Sequence, residues 1–350
     1  MTELIFIANN LLTMNRILPF LLLCAFVLQV MPVGAQQQMF LQRTQQSGPP
    51  PSATDFRILV NTENAGVSNP DQFQFTGALG DYDVQVWDQT GTTQLQTITG
   101  LSDAATITIA AGGGTYELRV FPAATNGFNQ IRFNNGGDRQ KLLEVRNWGE
   151  VAWSTMELAF HGCSNLGSEK ALDAPDLSNV TNMDYMFLSC VSFNADIGDW
   201  DVSNVESFRF TFNNATSFNQ DIGGWDMSSA QDISFMFRLA NAFNQDIGGW
   251  DVSNVTAAER TFEGNTAFDQ DIGGWDVRNI SNMNEMFKSN TISTANYNAL
   301  LIGWNSLPSL QSNVPFDAGN SKYTPGGAAE AAQTNLENTY NWIISDGGPL

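Results

Sequence analysis

Two rows of aspartates recur every 25 residues, and they are the side chains whose type and spacing best suit ligand binding. Carboxylates stacked about 5 Å apart repel one another, so each row needs a compensating partner. The carboxylates could accept backbone N–H groups in Asx turns, or they could bind calcium, which takes several oxygen ligands. Because no EF-hand loop is present, the sequence favours Asx turns. The first row is Asp196, Asp221, Asp246 and Asp271, the second is Asp201, Asp226, Asp251 and Asp276, and the calcium alternative concerns the last three of each row.

A column of tryptophans with the same period lies beside the aspartates, at Trp200, Trp225, Trp250 and Trp275. Packing in the core is the favoured interpretation, because an indole contributes a large apolar area while its N–H can still find an acceptor. If the rings were instead exposed, they would form an aromatic platform suited to sugar rings. A nearby asparagine column is predicted to be a hydrogen-bonded ladder rather than a site; its members are Asn179, Asn204, Asn254 and Asn279.

The elements that position these side chains are copies of one short unit. A unit of 25 residues cannot bury its own apolar face, so the copies must stack on one another. Val, Ile, Thr, Phe and Trp favour short strands, whereas Gly-Gly, Asn and Asp favour turns. We count about seven coils, with irregular ones at both ends reaching from Trp148 to Trp304. The expected spacing of the coils is about 4.8 Å.

The amino-acid sequence of the repeat resembles that of a known family. Residues 243–255 read Phe-Asn-Gln-Asp-Ile-Gly-Gly-Trp-Asp-Val-Ser-Asn-Val. This phrase resembles the bacterial surface-protein repeat family, a relative of the BspA-like leucine-rich repeats, and the resemblance covers about 142–345. It implies a right-handed, leucine-rich-repeat-like solenoid on a secreted or surface protein. The family defines no catalytic residues, so none are expected here.

The first residues have the composition of an export signal. Arg16 precedes an apolar run from Ile17 to Val30, and Val33-Gly34-Ala35 offers small residues for cleavage. We predict a signal peptide over 1–35 and a flexible linker over 36–55, because the run is too short for a membrane span and Gln, Ser and Pro follow it. No membrane span is expected after cleavage. The predicted location is outside a bacterial cell, secreted or at its surface.

Residues 56–135 show a different pattern, with short alternating strands separated by turn residues. Such spacing predicts a β-sandwich of the immunoglobulin type. The phrase Gly113-Gly114-Thr115-Tyr116-Glu117-Leu118-Arg119-Val120 resembles the closing strand of PKD and fibronectin-type modules. The predicted strands are Phe56–Val60, Gln72–Phe75, Asp83–Trp87, Gln94–Ile98, Thr106–Ile109, Tyr116–Phe121 and Gln130–Phe133.

Two cysteines beyond the signal segment, Cys163 and Cys190, occupy equivalent places in adjacent coils. Coil spacing would permit a disulfide between them. Alanine holds the same place in later coils, at Ala215 and Ala240, so a small apolar slot is the alternative. The sequence favours buried free thiols.

Composition excludes several functions. The 36 acidic residues against 15 lysines and arginines give a net charge of −21, which is unsuited to nucleic-acid binding. His161 is the single histidine, so a histidine-based triad or a multi-histidine metal site is not expected. Aspartates in equivalent repeated environments do not provide two carboxylates with separated pKa values, as acid–base catalysis requires. The sequence thus predicts neither an enzyme nor a cofactor.

The sequence therefore predicts a mainly β protein with a sandwich at 56–135 and a repeat solenoid with degenerate capping coils at 140–345. The predicted function is a non-enzymatic binding or adhesion scaffold for an extracellular protein or glycan. The alternatives are a polysaccharide-binding module for nutrient capture and a structural surface spacer.

Overall fold

A computed structural model describes residues 54–77, 80–124 and 127–350. The predicted signal peptide and nearly all of the predicted linker lie outside these residues. The described chain is mainly β with two helices, and residues 52–350 form one compact unit. Within the described part of the chain, no helix has the length and apolarity needed to cross a membrane.

The N-terminal region contains two antiparallel sheets. The larger sheet has the strand order β4-β3-β6-β1-β7, and β2 pairs with β5 in the smaller one. Apolar side chains such as Val84, Leu118 and Ile107 are fully buried, as expected for strands that turn one face to a core. The strands are β1 (Phe56–Asn61), β2 (Gln72–Gln74), β3 (Asp81–Asp88), β4 (Gln94–Ser102), β5 (Thr106–Thr108), β6 (Thr115–Pro122) and β7 (Leu142–Asn147).

Six of these strands lie where the sequence predicts them, but the predicted strand Gln130–Phe133 is wrong. That segment lies against the first repeat, where the Phe133 N–H donates to the Ala159 carbonyl and the Asn135 N–H donates to the His161 carbonyl. The chain then returns to the sheet as β7, which pairs with β1 inside the range assigned to the repeats. The sheet and the repeats are thus joined by interleaved segments of chain.

A buried ion pair stabilises the junction between the sheet and the repeats. The Lys141 ammonium is 3.6 Å from the Asp138 carboxylate, and both side chains are almost completely buried. Lys141 Nζ also donates to the carbonyls of Ser68, Asn69 and Gln72 at 2.9–3.1 Å. The Asp138 carboxylate accepts the backbone N–H groups of Val67, Ser68 and Gln74. Hydrogen bonds to both partners meet the requirement that buried charges be compensated.

The repeats stack in register, and their backbone consists of turns and single bridges rather than the short strands that the sequence predicts. Parallel bridges connect Asn182, Ser207, Asp232, Ala257 and Asn282 in succession. After each bridge, alternate N–H groups donate to the next repeat; the four donors in one repeat are Met183, Tyr185, Phe187 and Ser189, at 2.8–2.9 Å. We call residues 182–190 and their equivalents 207–215, 232–240, 257–265 and 282–290 the ladder segments.

Two phenylalanine columns fill the interior of the repeats. Within a repeat, the rings of Phe212 and Phe218 stack with centroids 4.1 Å apart. Between repeats, Phe187, Phe212, Phe237, Phe262 and Phe287 follow one another at 5.2–5.8 Å. This apolar core is continuous with that of the N-terminal sheets, so burial in one region supports the other.

The C-terminal end contains two helices that the sequence analysis missed. They are α1 (Thr294–Asn305) and α2 (Ala328–Tyr340), and each is followed by a short strand, β8 (Pro315–Asp317) and β9 (Ile343–Ser345). These strands pair in parallel, and Phe316 of β8 continues the stack by bridging to Met283. The Trp304 indole donates to the Ile272 carbonyl at 3.1 Å. Trp304 therefore continues the tryptophan column, as the repeat pattern predicts, although it lies on a helix.

Candidate functional site

The tryptophan column is buried. Trp200 and Trp225 are 6% and 3% exposed, and Trp275 is fully buried. The indole N–H groups of Trp225, Trp250 and Trp275 donate to the carbonyls of Ile197, Ile222 and Ile247 in the preceding repeat, at 3.0–3.1 Å. The interpretation of these rings as an exposed aromatic platform is therefore wrong, because the stacking of the repeats removes them from solvent.

Each aspartate of the two rows accepts a backbone N–H two residues further along. Asp221 accepts from Gly223 at 3.0 Å and Asp226 accepts from Ser228 at 3.0 Å. This is the hydrogen bond expected of an Asx turn, and it recurs at Asp196, Asp201, Asp246, Asp251, Asp271 and Asp276. In the parts of the chain that are described, no three His, Cys, Asp or Glu residues lie together as metal ligands.

Hydrogen bonds also determine the charge state of these carboxylates. The Ser228 hydroxyl and N–H lower the pKa of Asp226, and the Lys170 ammonium with the Gly198 N–H lowers the pKa of Asp196. Hydrogen bonds to the ionised form favour that form. Asp196 and Asp226 are therefore held in the ionised form by the same hydrogen bonds that form their turns.

The asparagine column forms the predicted ladder. The side-chain amides of Asn204, Asn254 and Asn279 donate to the carbonyls of Ser178, Ser228 and Ser253 in the preceding repeat. A second ladder, which the sequence analysis missed, runs through Asn194, Asn219 and Asn244. Each of their side-chain oxygens accepts the N–H of the equivalent residue one repeat later, at 2.8–2.9 Å.

Both cysteines are free and fully buried, so the alternative of a Cys163–Cys190 disulfide is wrong in this structure. The Cys190 thiol donates to the Phe160 carbonyl at 3.0 Å. Burial raises the pKa of both thiols, which keeps them in the unreactive protonated form. They fill the small slot that alanine fills in the later repeats.

Three columns of the ladder segments change from one repeat to the next, and we call the surface made by their solvent-accessible side chains the ladder face. One column reads Asp184, Arg209, Ser234, Glu259 and Asn284, a second reads Tyr185, Phe210, Phe235, Arg260 and Glu285, and a third reads Leu188, Asn213, Arg238, Glu263 and Lys288. Ser234 and Asn213 are only 4% exposed, so they lie beneath this surface. The Trp, Phe and Asp columns by contrast stay nearly constant and make contacts between repeats or within their own turns.

A row of half-buried aromatic rings crosses the ladder face. Tyr185 stacks on Phe210 with centroids 4.7 Å apart, and Phe210 stacks on Phe235 at 4.2 Å. The Arg260 guanidinium lies 5.7 Å from the Phe235 centroid and covers the last ring, as a cation–π contact requires. Both faces of Phe210 and Phe235 and one face of Tyr185 are therefore covered by neighbours.

Ion pairs between repeats flank the aromatic row. Arg238 lies 2.7 Å from Glu263, and Arg260 lies 2.6 Å from Glu285. Half-exposed pairs of this kind contribute little stability, on the order of 0–1 kcal/mol each. Their effect is to place both signs of charge at fixed positions beside the aromatic edges, which is an arrangement suited to recognising another surface.

The geometry is that of a repeat protein in which nearly constant columns fill the core and form the turns, while variable columns lie on the ladder face. Residues 154–267 and 224–317 each match a family described as "Mycoplasma protein of unknown function, DUF285". The two matches cover repeats, α1 and the start of the C-terminal end, and they agree with the resemblance to bacterial surface repeats. No curated protein and no solved structure matches the chain.

Proposed function

We propose that this chain is a non-enzymatic scaffold, secreted or held at a bacterial surface, whose ladder face binds an extracellular protein. In this proposal the repeats form a right-handed, leucine-rich-repeat-like solenoid. The paired N-terminal sheets form an immunoglobulin- or PKD-like sandwich that closes one end. The family match over the repeats and the signal-like sequence at the N-terminus support an exported repeat protein.

The observation that carries the proposal is the division between constant and variable columns. A residue needed only for stacking should recur in every repeat, because each repeat meets the same neighbour. The Trp, Phe, Asp and Asn columns behave in this way. The columns of the ladder face differ from repeat to repeat, so stacking does not dictate them, and they are free to serve binding.

A protein ligand is favoured over a glycan by the orientation of the aromatic rings. Sugar rings stack on exposed aromatic faces, whereas Tyr185, Phe210 and Phe235 turn their faces toward one another. Fixed charges and aromatic edges suit the polar and aromatic mixture of protein interfaces. Polysaccharide capture remains the second candidate, and a surface spacer without a ligand is the third.

A charge-matched pair of variants tests the proposal. Gln231→Lys with Thr256→Lys adds two positive charges in an exposed column that borders the ladder segments. Ser217→Lys with Asn241→Lys adds the same charge at exposed positions between the ladder segments and the aspartate rows. The wild type and both double variants would be screened against arrays of purified matrix proteins and of glycans, and their folding would be checked by circular dichroism.

The proposal expects binding to a protein that the first variant loses at least tenfold and the second retains. Equal loss in both variants would show that net charge, not the ladder face, governs binding. Binding to glycans alone would favour polysaccharide capture, and a clean negative on both arrays would favour the spacer.

A further inference from the structure

Two side chains with nitrogen atoms that lack a hydrogen-bond partner, Arg139 and His161, lie at the junction of the sheets and the repeats, where the ladder face begins. Arg139 follows the segment that packs on the first repeat, and His161 belongs to that repeat. The Arg139 side chain crosses Gly162, since a Cβ atom placed on this glycine would lie 2.9 Å from Arg139 Cδ and Nε. The guanidinium therefore lies beside the residue that follows His161.

Two nitrogens at this place are buried without a partner. They are Arg139 Nε and His161 Nδ1, and neither forms a hydrogen bond with any residue in the described parts of the chain. Buried polar atoms in native proteins nearly always have a partner, so an orphan pair indicates a water or an ion that completes the site. An arginine cannot lose its proton to relieve the deficit.

The positive charge of the site favours a bound anion over a bound water molecule. Arg139 has no carboxylate within ion-pair distance among the described residues, although the chain carries 36 acidic residues. Burial together with the Arg139 charge lowers the pKa of His161, so the guanidinium of the partly buried Arg139 supplies the positive charge of this site at neutral pH. A water would satisfy hydrogen bonds and leave that charge, whereas an oxyanion would satisfy both.

We propose that Arg139 and His161 form a binding site for a small oxyanion, either a free phosphate or sulfate or the carboxylate of a larger ligand. The guanidinium supplies a fixed positive charge with planar donors, and the imidazole supplies a second donor when it is protonated. The site goes beyond the proposed function and does not depend on it. The thiols of Cys163 and Cys190, which lie in the core nearby, stay protonated because burial raises their pKa, so they do not compete with the anion for the guanidinium.

The single histidine gives a direct readout. In untagged full chain, the imidazole carbon protons seen by NMR belong to His161 alone, so its titration needs no assignment. The pKa of His161 is expected to rise by about one unit in sodium sulfate, phosphate or acetate relative to sodium chloride at equal ionic strength, because a bound oxyanion favours the imidazolium. A response to all three salts would place carboxylates among the ligands, and a response to phosphate and sulfate alone would restrict the site to those anions.

Two variants distinguish anion binding at this site from a general effect of salt on the charges of the protein. Arg139→Gln should abolish the oxyanion-specific rise, whereas Lys322→Gln, which removes one exposed positive charge in the C-terminal region, should leave it unchanged. An identical pKa in oxyanion and chloride solutions would overturn the proposal and assign the orphan nitrogens to a bridging water. The same rise in Arg139→Gln as in the wild type would also overturn it. If Arg139→Gln fails to fold, the comparison of salts in the wild type decides alone.

Discussion

Tyr185, Phe210 and Phe235 have backbone angles that aromatic residues rarely adopt, with φ of 60°, 57° and 62°. A left-handed residue other than glycine costs roughly 1–2 kcal/mol. Stacking between the rings contributes about 0.5–1.5 kcal/mol for each pair. Three strained residues therefore cost about 3–6 kcal/mol and two stacked pairs contribute about 1–3 kcal/mol, so the stacking offsets part of the strain. Arg260 and Glu285 have the same left-handed angle, and their partly exposed ion pair offsets little of its cost.

The first prediction at this scale concerns the tryptophan column. Trp225→Ala should lower the free energy of unfolding by about 3–5 kcal/mol, because it leaves a cavity and removes the hydrogen bond to Ile197. Trp225→Phe should cost less, since it keeps most of the apolar volume. Urea denaturation followed by circular dichroism measures both. Unchanged stability in Trp225→Ala together with lost glycan binding would restore the aromatic platform.

A second residue-scale prediction concerns pH. The pKa of Asp226 is lowered in the folded state, so its stabilisation is present above the unfolded pKa of about 3.9 and is lost as the pH falls through the lower folded pKa. Asp226→Ala should therefore be less stable than the wild type at pH 7, by less than about 1 kcal/mol, because the carboxylate is exposed and solvent screens its interactions. The difference should shrink as the pH falls below about 4. Thermal melts of both proteins across this pH range make the comparison.

The same thermal melts test whether the aspartate rows bind calcium. If the aspartates serve only their turns, calcium and a chelator should leave the melting temperature of the wild type unchanged. A calcium-dependent rise that Asp226→Ala reduces would instead indicate a site in the aspartate rows.

At the scale of elements, the sequence of α1 contains a helical pattern of apolar residues that the sequence analysis did not recognise. Its buried residues Tyr297, Leu300, Leu301 and Trp304 follow the spacing i, i+3, i+4 and i+7 of a helix, and Ser293 caps its first turn. The repeated phrase Ile-Gly-Trp suggested another turn-rich coil instead. The ladder segments present the opposite case. Their turns need a left-handed residue in the column of Tyr185, where no glycine or asparagine marks it. The second left-handed column, that of Ser189, does contain Gly162, Asn214 and Gly264.

The placement of α1 yields a third prediction with an internal control. Leu301 is fully buried, while its neighbour Ile302 is 43% exposed. Leu301→Ala should lower the free energy of unfolding by about 2–5 kcal/mol, and Ile302→Ala should change it by less than about 1 kcal/mol. Chemical denaturation of the two variants measures the contrast. Equal effects would mean that this segment is not the helix described.

At the scale of the whole molecule, stacking and charge act in opposite directions. The continuous core joins the sheets, the repeats and the C-terminal helices, whereas a net charge of −21 makes the folded chain repel itself. The hydrogen bonds between repeats and the local Asx turns hold the acidic side chains in place without neutralising them. Stability should therefore depend on the salt concentration.

The fourth prediction follows from this balance. Raising sodium chloride from low concentration to about 0.5 M should increase the melting temperature, because the Debye length becomes shorter than the separation of most surface charges. Calorimetry across a salt series measures the effect, and sucrose at matched osmolality controls for exclusion from the surface. A melting temperature that falls with salt would mean that the ion pairs of the ladder face outweigh the net repulsion.

The sequence by itself determined the period of the repeat, six of the seven strands of the N-terminal sheets and the hydrogen-bonding roles of the Asp and Asn columns. These features depend on residues close in sequence or on a spacing repeated many times, so the pattern alone carries them. The tertiary structure decided which columns are buried, since exposure of Trp225 or Phe210 depends on how neighbouring repeats stack. It also decided that residues 129–135 pack on the repeats and that Arg139 lies beside Gly162, because these contacts join separate segments of chain and leave no local signal.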